Sequence, residues 1–197
     1  MKKYLDDGAD PYLPWYNNYN ALQNACMMGD DELVEILLME QVDPNKFIEH
    51  QRTYYSSKPM LDDPLWIAVS KDKKRIFSML LYKGAEIRES QNRFQRYSTL
   101  PEFIIFHYRN DKDAEQLCAF LKLLVQHKWE INHINRRGKT ILFSALEIFI
   151  PREVVRGDII RFLLKNGADP RIRCNGIEPI QMARSPYVRK IFEDERR

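Results

Sequence analysis

The side chains able to do covalent or metal chemistry are few and scattered. Four histidines, His50, His107, His127 and His133, and three cysteines, Cys26, Cys118 and Cys174, are spread over the chain. No two of them stand at the short spacings by which zinc or another ion is held. His107 and Cys118 can be imagined as a base and a nucleophile, but nothing near them in sequence supplies the orienting third group that such a pair needs. The glycines are single turn residues and build no phosphate-cradling loop. Asp30-Asp31-Glu32 is a run of carboxylates, and its position at the start of an apolar-periodic stretch suits a helix N-terminus, where negative charge complements the dipole. These patterns predict no catalysis, no metal, no cofactor and no small-molecule substrate.

Composition narrows the class further. With 44% hydrophobic and 30% charged residues the chain has what a folded core needs, and it is not disorder-like. No run of 18 apolar residues is present, so no membrane span is expected, and MKKYLDDGADPY lacks the apolar stretch of a secretory signal. An odd, sparse cysteine set fits an intracellular, reducing compartment, cytoplasmic or nuclear, better than a disulfide framework. Residues 88–197 hold 21 of the 31 Lys and Arg but only half of the acidic residues. That imbalance suits an acidic protein surface or a nucleic acid; the plainer alternative is a solvated face.

The elements that would position any site come in one recurring form. In Asn18–Asn45, Leu22, Ala25 and Cys26 make one stripe at helical spacing, and Leu33, Val34, Leu37 and Leu38 make another. Gly29-Asp30-Asp31 separates them and Asp43-Pro44-Asn45 ends the second. Asn20 stands where a helix cap is wanted. A hairpin of this size cannot bury its own faces and needs neighbours of the same kind.

The neighbours follow along the chain. Asp63-Pro64-Leu65 opens a second unit, with Ala68 and Val69 inside, Ile76, Phe77, Leu80 and Leu81 outside, and Lys83-Gly84-Ala85-Glu86 at its end. Ser98-Thr99-Leu100-Pro101 opens a third, with Phe120, Leu121, Leu124 and Val125. Gly138-Lys139-Thr140-Ile141-Leu142 opens a fourth, with Ile159, Ile160, Leu163 and Leu164, then Gly167-Ala168-Asp169-Pro170. A short last unit, Gly176-Ile177-Glu178-Pro179-Ile180 with Ile191-Phe192, carries the charged end expected of a cap. From Leu22 to Leu38 is 16 residues, but Leu100 to Val125 is 25 and Leu142 to Leu164 is 22, so the third and fourth units should carry lengthened helices or loops.

These units resemble ankyrin repeats, whose pattern runs G-x-T-P-L-H-x-A-A, then an outer E-I-V-x-L-L-L, then G-A-D-P-N. The resemblance covers nearly the whole chain and implies an all-α fold, an α-solenoid of about five repeats with hairpin fingers. It divides one domain, 1–197, into a partial repeat at 1–14, repeats at 15–45, 63–88, 94–132 and 135–171, a long inserted finger at 46–62, and a capping repeat at 174–197. Gly8-Ala9-Asp10-Pro11 reads as the tail of a repeat whose helices are missing, so either the chain opens with a degenerate cap or it belongs to a longer array. Gln41 stands where the family has glycine, which predicts an altered turn or a left-handed residue costing roughly 1 kcal/mol.

What the resemblance implies about function is non-catalytic binding of another protein, on the fingers and the exposed side of the inner helices. Carried over by position, the candidates are Tyr16, Asn17, Tyr19, Met27 and Met28 in the first repeat and Tyr54 and Tyr55 in the long finger. The third repeat adds Phe94, Gln95, Tyr97, Ile105 and Phe106, and the fourth Arg136, Arg137 and Lys139. Aromatic residues, Met and Arg are the types enriched at interfaces. The alternative for Met27 and Phe106 is packing under the lengthened loops, and for Arg136 and Arg137 a solvated basic face. Trp15 and Trp129 are expected as wedges between repeats. The uneven repeat lengths are similar to those of divergent ankyrin proteins that intracellular bacteria or large viruses direct into host cells, which implies a host-targeted effector or adaptor. The competing expectation is a substrate-targeting arm of a larger enzyme; nucleic acid is the weakest partner class.

Overall fold

The computed structural model describes residues 6–49, 62–89, 97–110, 114–148 and 150–195. Among them ten α-helices follow one another, with no strand beyond an isolated bridge between Cys174 and Ile177. They are α1 (Ala21–Met28), α2 (Asp31–Met39), α3 (Pro64–Ser70), α4 (Lys74–Tyr82) and α5 (Leu100–His107), then α6 (Glu115–Gln126), α7 (Ile141–Glu147), α8 (Glu153–Lys165), α9 (Pro179–Met182) and α10 (Pro186–Asp194). They fall into two compact units, Met1–Arg88 and Glu89–Arg197.

Local chemistry explains where the helices begin. Asn20 accepts from the Gln23 N–H at 2.9 Å while the Gln23 side chain accepts from the Asn20 N–H at 3.0 Å, a reciprocal cap on α1. Asp63 accepts from the Leu65 N–H at 2.8 Å, with Pro64 at the first helical position of α3. Thr99 and Glu102 repeat the reciprocal cap on α5, with Pro101 in the first turn. Ser185 caps α10.

In the first unit α1 packs on α2 and α3, and α2 on α4. The expected stripes are buried except at Leu33, which is half-buried: Leu22, Ala25, Cys26, Val34 and Leu37 are at most 1% exposed, as are Leu65, Ala68, Ile76, Phe77 and Leu80 on α3 and α4. In the second unit α5 packs on α6 and α7, α7 on α8 and α9, and α8 on α10. Each buried leucine or isoleucine stabilises by about 1.5–3 kcal/mol, which is how hairpins too short to persist alone are held. The added residues of the third and fourth repeats go partly into the outer helices, since α6 has 12 and α8 13 residues against 9 in α2 and α4. Gly157 in α8 lets α10 approach closely: a Cβ there would stand 2.5 Å from the Tyr187 ring.

The outer helices end in left-handed residues at Gln41, Gly84, Lys128 and Gly167. Gln41 keeps the turn at φ 63 instead of altering it, so the strain of about 1 kcal/mol is borne by the packing around it. Beyond the Gln41 and Lys128 turns an asparagine reaches to the following repeat. The Asn45 side chain donates to the Gly84 carbonyl at 2.9 Å and accepts from the Glu86 N–H at 2.8 Å. Asn132 does the same with the Gly167 carbonyl and the Asp169 N–H, at 2.9 and 2.8 Å. Trp15 is no wedge: it is 66% exposed, because the finger that carries it projects into solvent. Trp129 is half-buried.

Candidate interaction surface

The first finger is the looped segment ahead of α1, with a single 3-10 turn at Tyr16–Asn18. The Ala21 N–H donates to the Pro11 carbonyl at 3.1 Å and the Trp15 N–H to the Tyr19 carbonyl at 2.8 Å, which closes the loop on itself. At its tip Asn17 and Asn18 sit at φ 53 and 60. Asparagine tolerates that region better than other side-chain-bearing residues, because its short amide bonds locally. The tip throws Leu13, Trp15 and Tyr16 outward, at 62%, 66% and 69% exposure.

The base of the finger and the start of α1 are fastened to the segment that follows α2. The Tyr12 hydroxyl accepts from the Asp43 N–H at 2.8 Å, and Lys46 Nζ lies 3.9 Å from the Tyr12 ring centre. Asn20 Nδ2 donates to the Lys46 carbonyl at 2.9 Å. Gln23 accepts from the Ile48 N–H at 3.1 Å and donates to the Ile48 and Asp62 carbonyls at 2.9 and 2.7 Å. This amide uses donor and acceptor together, as only Asn or Gln can.

Several expected surface positions are corrected. Tyr19 is only 5% exposed: it directly precedes the cap of α1, and its carbonyl accepts from both Trp15 N–H and Asn24 Nδ2. Tyr97 is 9% exposed and Ile105 fully buried, since α5 is enclosed along Leu100–Ile105 rather than along one stripe. Phe106 is half-buried, with the Tyr97 ring 4.3 Å away and the Arg109 guanidinium 3.7 Å from its centre. Tyr16, Asn17 and Met28 are exposed and Met27 is half-buried. Tyr54, Tyr55, Phe94 and Gln95 lie outside the described residues.

The fourth finger, residues 133–139, has a different foundation. Glu102 is only 4% exposed, and a buried carboxylate is costly unless donors surround it. Its Oε2 accepts from the Ser98 N–H, Ser98 Oγ and Thr99 N–H at 2.8, 3.0 and 3.1 Å, and its Oε1 from Asn135 Nδ2 and Ser144 Oγ at 2.8 and 2.6 Å. Asn135, itself buried, passes this order to the finger by accepting from the Arg137 and Lys139 N–H groups at 2.9 and 3.0 Å. Arg136 and Arg137 are exposed, while Lys139 is half-buried and paired with Glu147 at 2.6 Å. His133 meets Glu89 at 2.7 Å.

Sequence reasoning missed Leu13, Glu102 and Asn135 and misplaced Trp15. The signal for Glu102 was the Thr99-x-x-Glu102 spacing of a reciprocal cap. Burial pushes the Cys26 thiol far above the ordinary thiol range and the Cys118 thiol up to about 11, which disfavours their reactive thiolate forms. Burial also raises the Asp63 carboxyl to about 7, against the lowering effect of its hydrogen bonds from the Leu65 and Trp66 N–H groups and of Arg88.

No protein-family model matches this sequence, and no curated protein matches it. Solved structures do. The ankyrin repeat domain of Bcl-3, a member of the IkappaB protein family, aligns with a TM-score of 0.65 at 22% identity, covering 98% of this chain and 75% of that one. An ankyrin repeat domain from Acinetobacter baumannii AYE aligns at 0.69 and 21%, covering 98% and 90%. The human ASB11 ankyrin repeat domain aligns at 0.63 and 18%, covering 98% and 76%. At these identities the likeness is one of fold.

Proposed function

Given that the chain is an ankyrin repeat protein by its fold, we propose that it is a non-catalytic module that grips a partner protein with its fingers. The ankyrin-repeat fold is a general protein-interaction scaffold. The observation that carries the reading here is the first finger. Leu13, Trp15 and Tyr16 are each more than 60% exposed on a backbone whose base and tip are hydrogen-bonded. Apolar rings on an ordered loop lose little conformational freedom on binding, which favours affinity. Met28, at the far end of α1, is exposed as well. Unpaired Cys26, Cys118 and Cys174 support a reducing compartment. In this reading the module is an adaptor or a host-directed effector, and the identity of its partner distinguishes the two. Among the described residues no helix is long and apolar enough to cross a membrane.

The test is affinity capture from native lysate with the full chain and with the double variant Trp15→Ala, Tyr16→Ala. Tyr19 and Tyr97 are left intact because they are buried. Two central aromatic residues at about 2 kcal/mol each would weaken a specific partner by well over a hundredfold. A variant that melts like the parent yet retains every partner at the parent's level would remove the first finger from the binding surface.

A further inference from the structure

The second unit presents another kind of finger. Residues 89–197 carry 20 Lys and Arg and 14 Asp and Glu, a balance of +6. Four exposed arginines stand on two successive fingers: Arg136 and Arg137 on the fourth, Arg171 and Arg173 on the fifth, residues 171–177. The Asn132 clip to Gly167 and Asp169 ties the root of one finger to the turn that begins the next, and α7 packs on α9 directly behind them. Packed helices lie about 8–10 Å apart, so the two fingers are spanned by roughly three residues of extended chain.

Both fingers are held by bonds within their own unit. Glu102 and Asn135 fix the fourth through the Arg137 and Lys139 N–H groups. The fifth is closed by paired bonds between Cys174 and Ile177, both 3.0 Å, over a left-handed Asn175-Gly176 tip. That is a hairpin turn of the kind whose twist matches its flanking strands.

We propose that these two fingers form a docking surface for an acidic, aliphatic-bearing segment of the partner protein. The inference rests on the protein-binding reading above. Arginine suits carboxylates because its planar fork can donate two parallel hydrogen bonds. The large apolar residues exposed beside the arginines are Ile134, at 54%, and Ile177, at 42%. They are aliphatic, whereas single-stranded nucleic acid is held on aromatic faces that stack with bases. Asp169, Glu147 and Glu178 are interspersed with the arginines, and Arg173 meets Glu178 at 3.0 Å. A continuous phosphate backbone would run against these carboxylates, but a peptide can place its own charges between them. Glu102 and Asn135 are positioning residues for this surface.

The experiment titrates the full chain with a labelled peptide of about twelve residues, long enough to cross both fingers, made of glutamates with two leucines. Parallel arms use the same peptide with glutamine for glutamate, and an oligo-dT strand of equal length. The proposal expects binding of the acidic peptide at low salt and at least tenfold weaker binding of the glutamine peptide. It also expects at least a tenfold loss in each of Arg136→Glu with Arg137→Glu and Arg171→Glu with Arg173→Glu, in variants that melt like the parent. Asn135→Ala should weaken the acidic peptide more than it shifts the response to salt, since it leaves every charge in place. No binding of the acidic peptide at low salt, equal binding of the glutamine peptide, or tighter binding of the oligo-dT strand overturns the proposal. Lysate partners that depend on Trp15 and Tyr16 but survive both charge reversals would leave the protein-binding reading standing and this one overturned.

Discussion

Two loops are fastened to a helix start with opposite chemistry, residues 46–48 to α1 and the fourth finger to α5. Gln23 and Glu102 occupy the same third position of their helices, α1 and α5. Gln23 is neutral and bonds both the N–H and the carbonyl of Ile48, so its surroundings offer donors and acceptors. Glu102 is an acceptor alone, and everything around it donates: Ser98, Thr99, Asn135 and Ser144. The same helix position therefore meets surroundings of opposite character in the two repeats, and the two sites are not interchangeable.

Exchanging them is the sharpest way to break the comparison. Gln23→Glu would aim a carboxylate at the Ile48 and Asp62 carbonyls, and we expect about 3 kcal/mol of destabilisation in denaturant melts. Glu102→Gln should cost somewhat less, about 2 kcal/mol, because its amide still has one oxygen for one of the two donor groups. Equal tolerance of both substitutions would mean that the networks do not discriminate charge.

A pH effect separates the units next. The Asp63 carboxyl is raised from the usual 3.8 to about 7. Between those limits the folded protein keeps a proton that the unfolded chain has released, so folding stability should fall as pH rises from about 4 to about 7 and level off above. Asp63→Asn keeps a good cap and should flatten that slope in pH-dependent thermal melts. A slope unchanged in the variant would show that another group carries it. Gln41→Gly, which relieves a left-handed side chain, should stabilise the first unit by up to about 1 kcal/mol in the same melts. The smallest effect belongs to the exposed tip: Trp15→Ala with Tyr16→Ala should move stability by no more than about 0.5 kcal/mol. A larger loss would mean that these rings pack rather than project.

How far the sequence could be read follows from how local each cause is. Asn20, Asp63 and Thr99 announce their helices because a cap bonds within three residues, and the stripe Leu22, Ala25, Cys26 announces burial by period alone. Orientation around the helix starts was not legible. Tyr19 and Tyr97 have interface-like side chains but turn inward, and Ile105 is covered because α5 is enclosed on more than one side. Glu102 is the hardest case. Its partners Asn135 and Ser144 lie 33 and 42 residues away, and only the assembled repeats make a buried carboxylate acceptable. The finger that holds Trp15 was misjudged because its anchor, the Tyr12 hydroxyl on the Asp43 N–H, spans 31 residues.

The asparagine clips have one more consequence, for how such a chain can change over evolutionary time. Asn45 and Asn132 close on their neighbours across 39 and 35 residues with matching bond lengths. The chain between the closing points differs in length and content, and in the second case it holds the lengthened outer helix α8. Because closing a longer loop costs only about 0.6 kcal/mol per doubling of its length, residues can be inserted between clips without disturbing the joints. The joints act as fixed rivets, and the segments between them are where new binding features can be added.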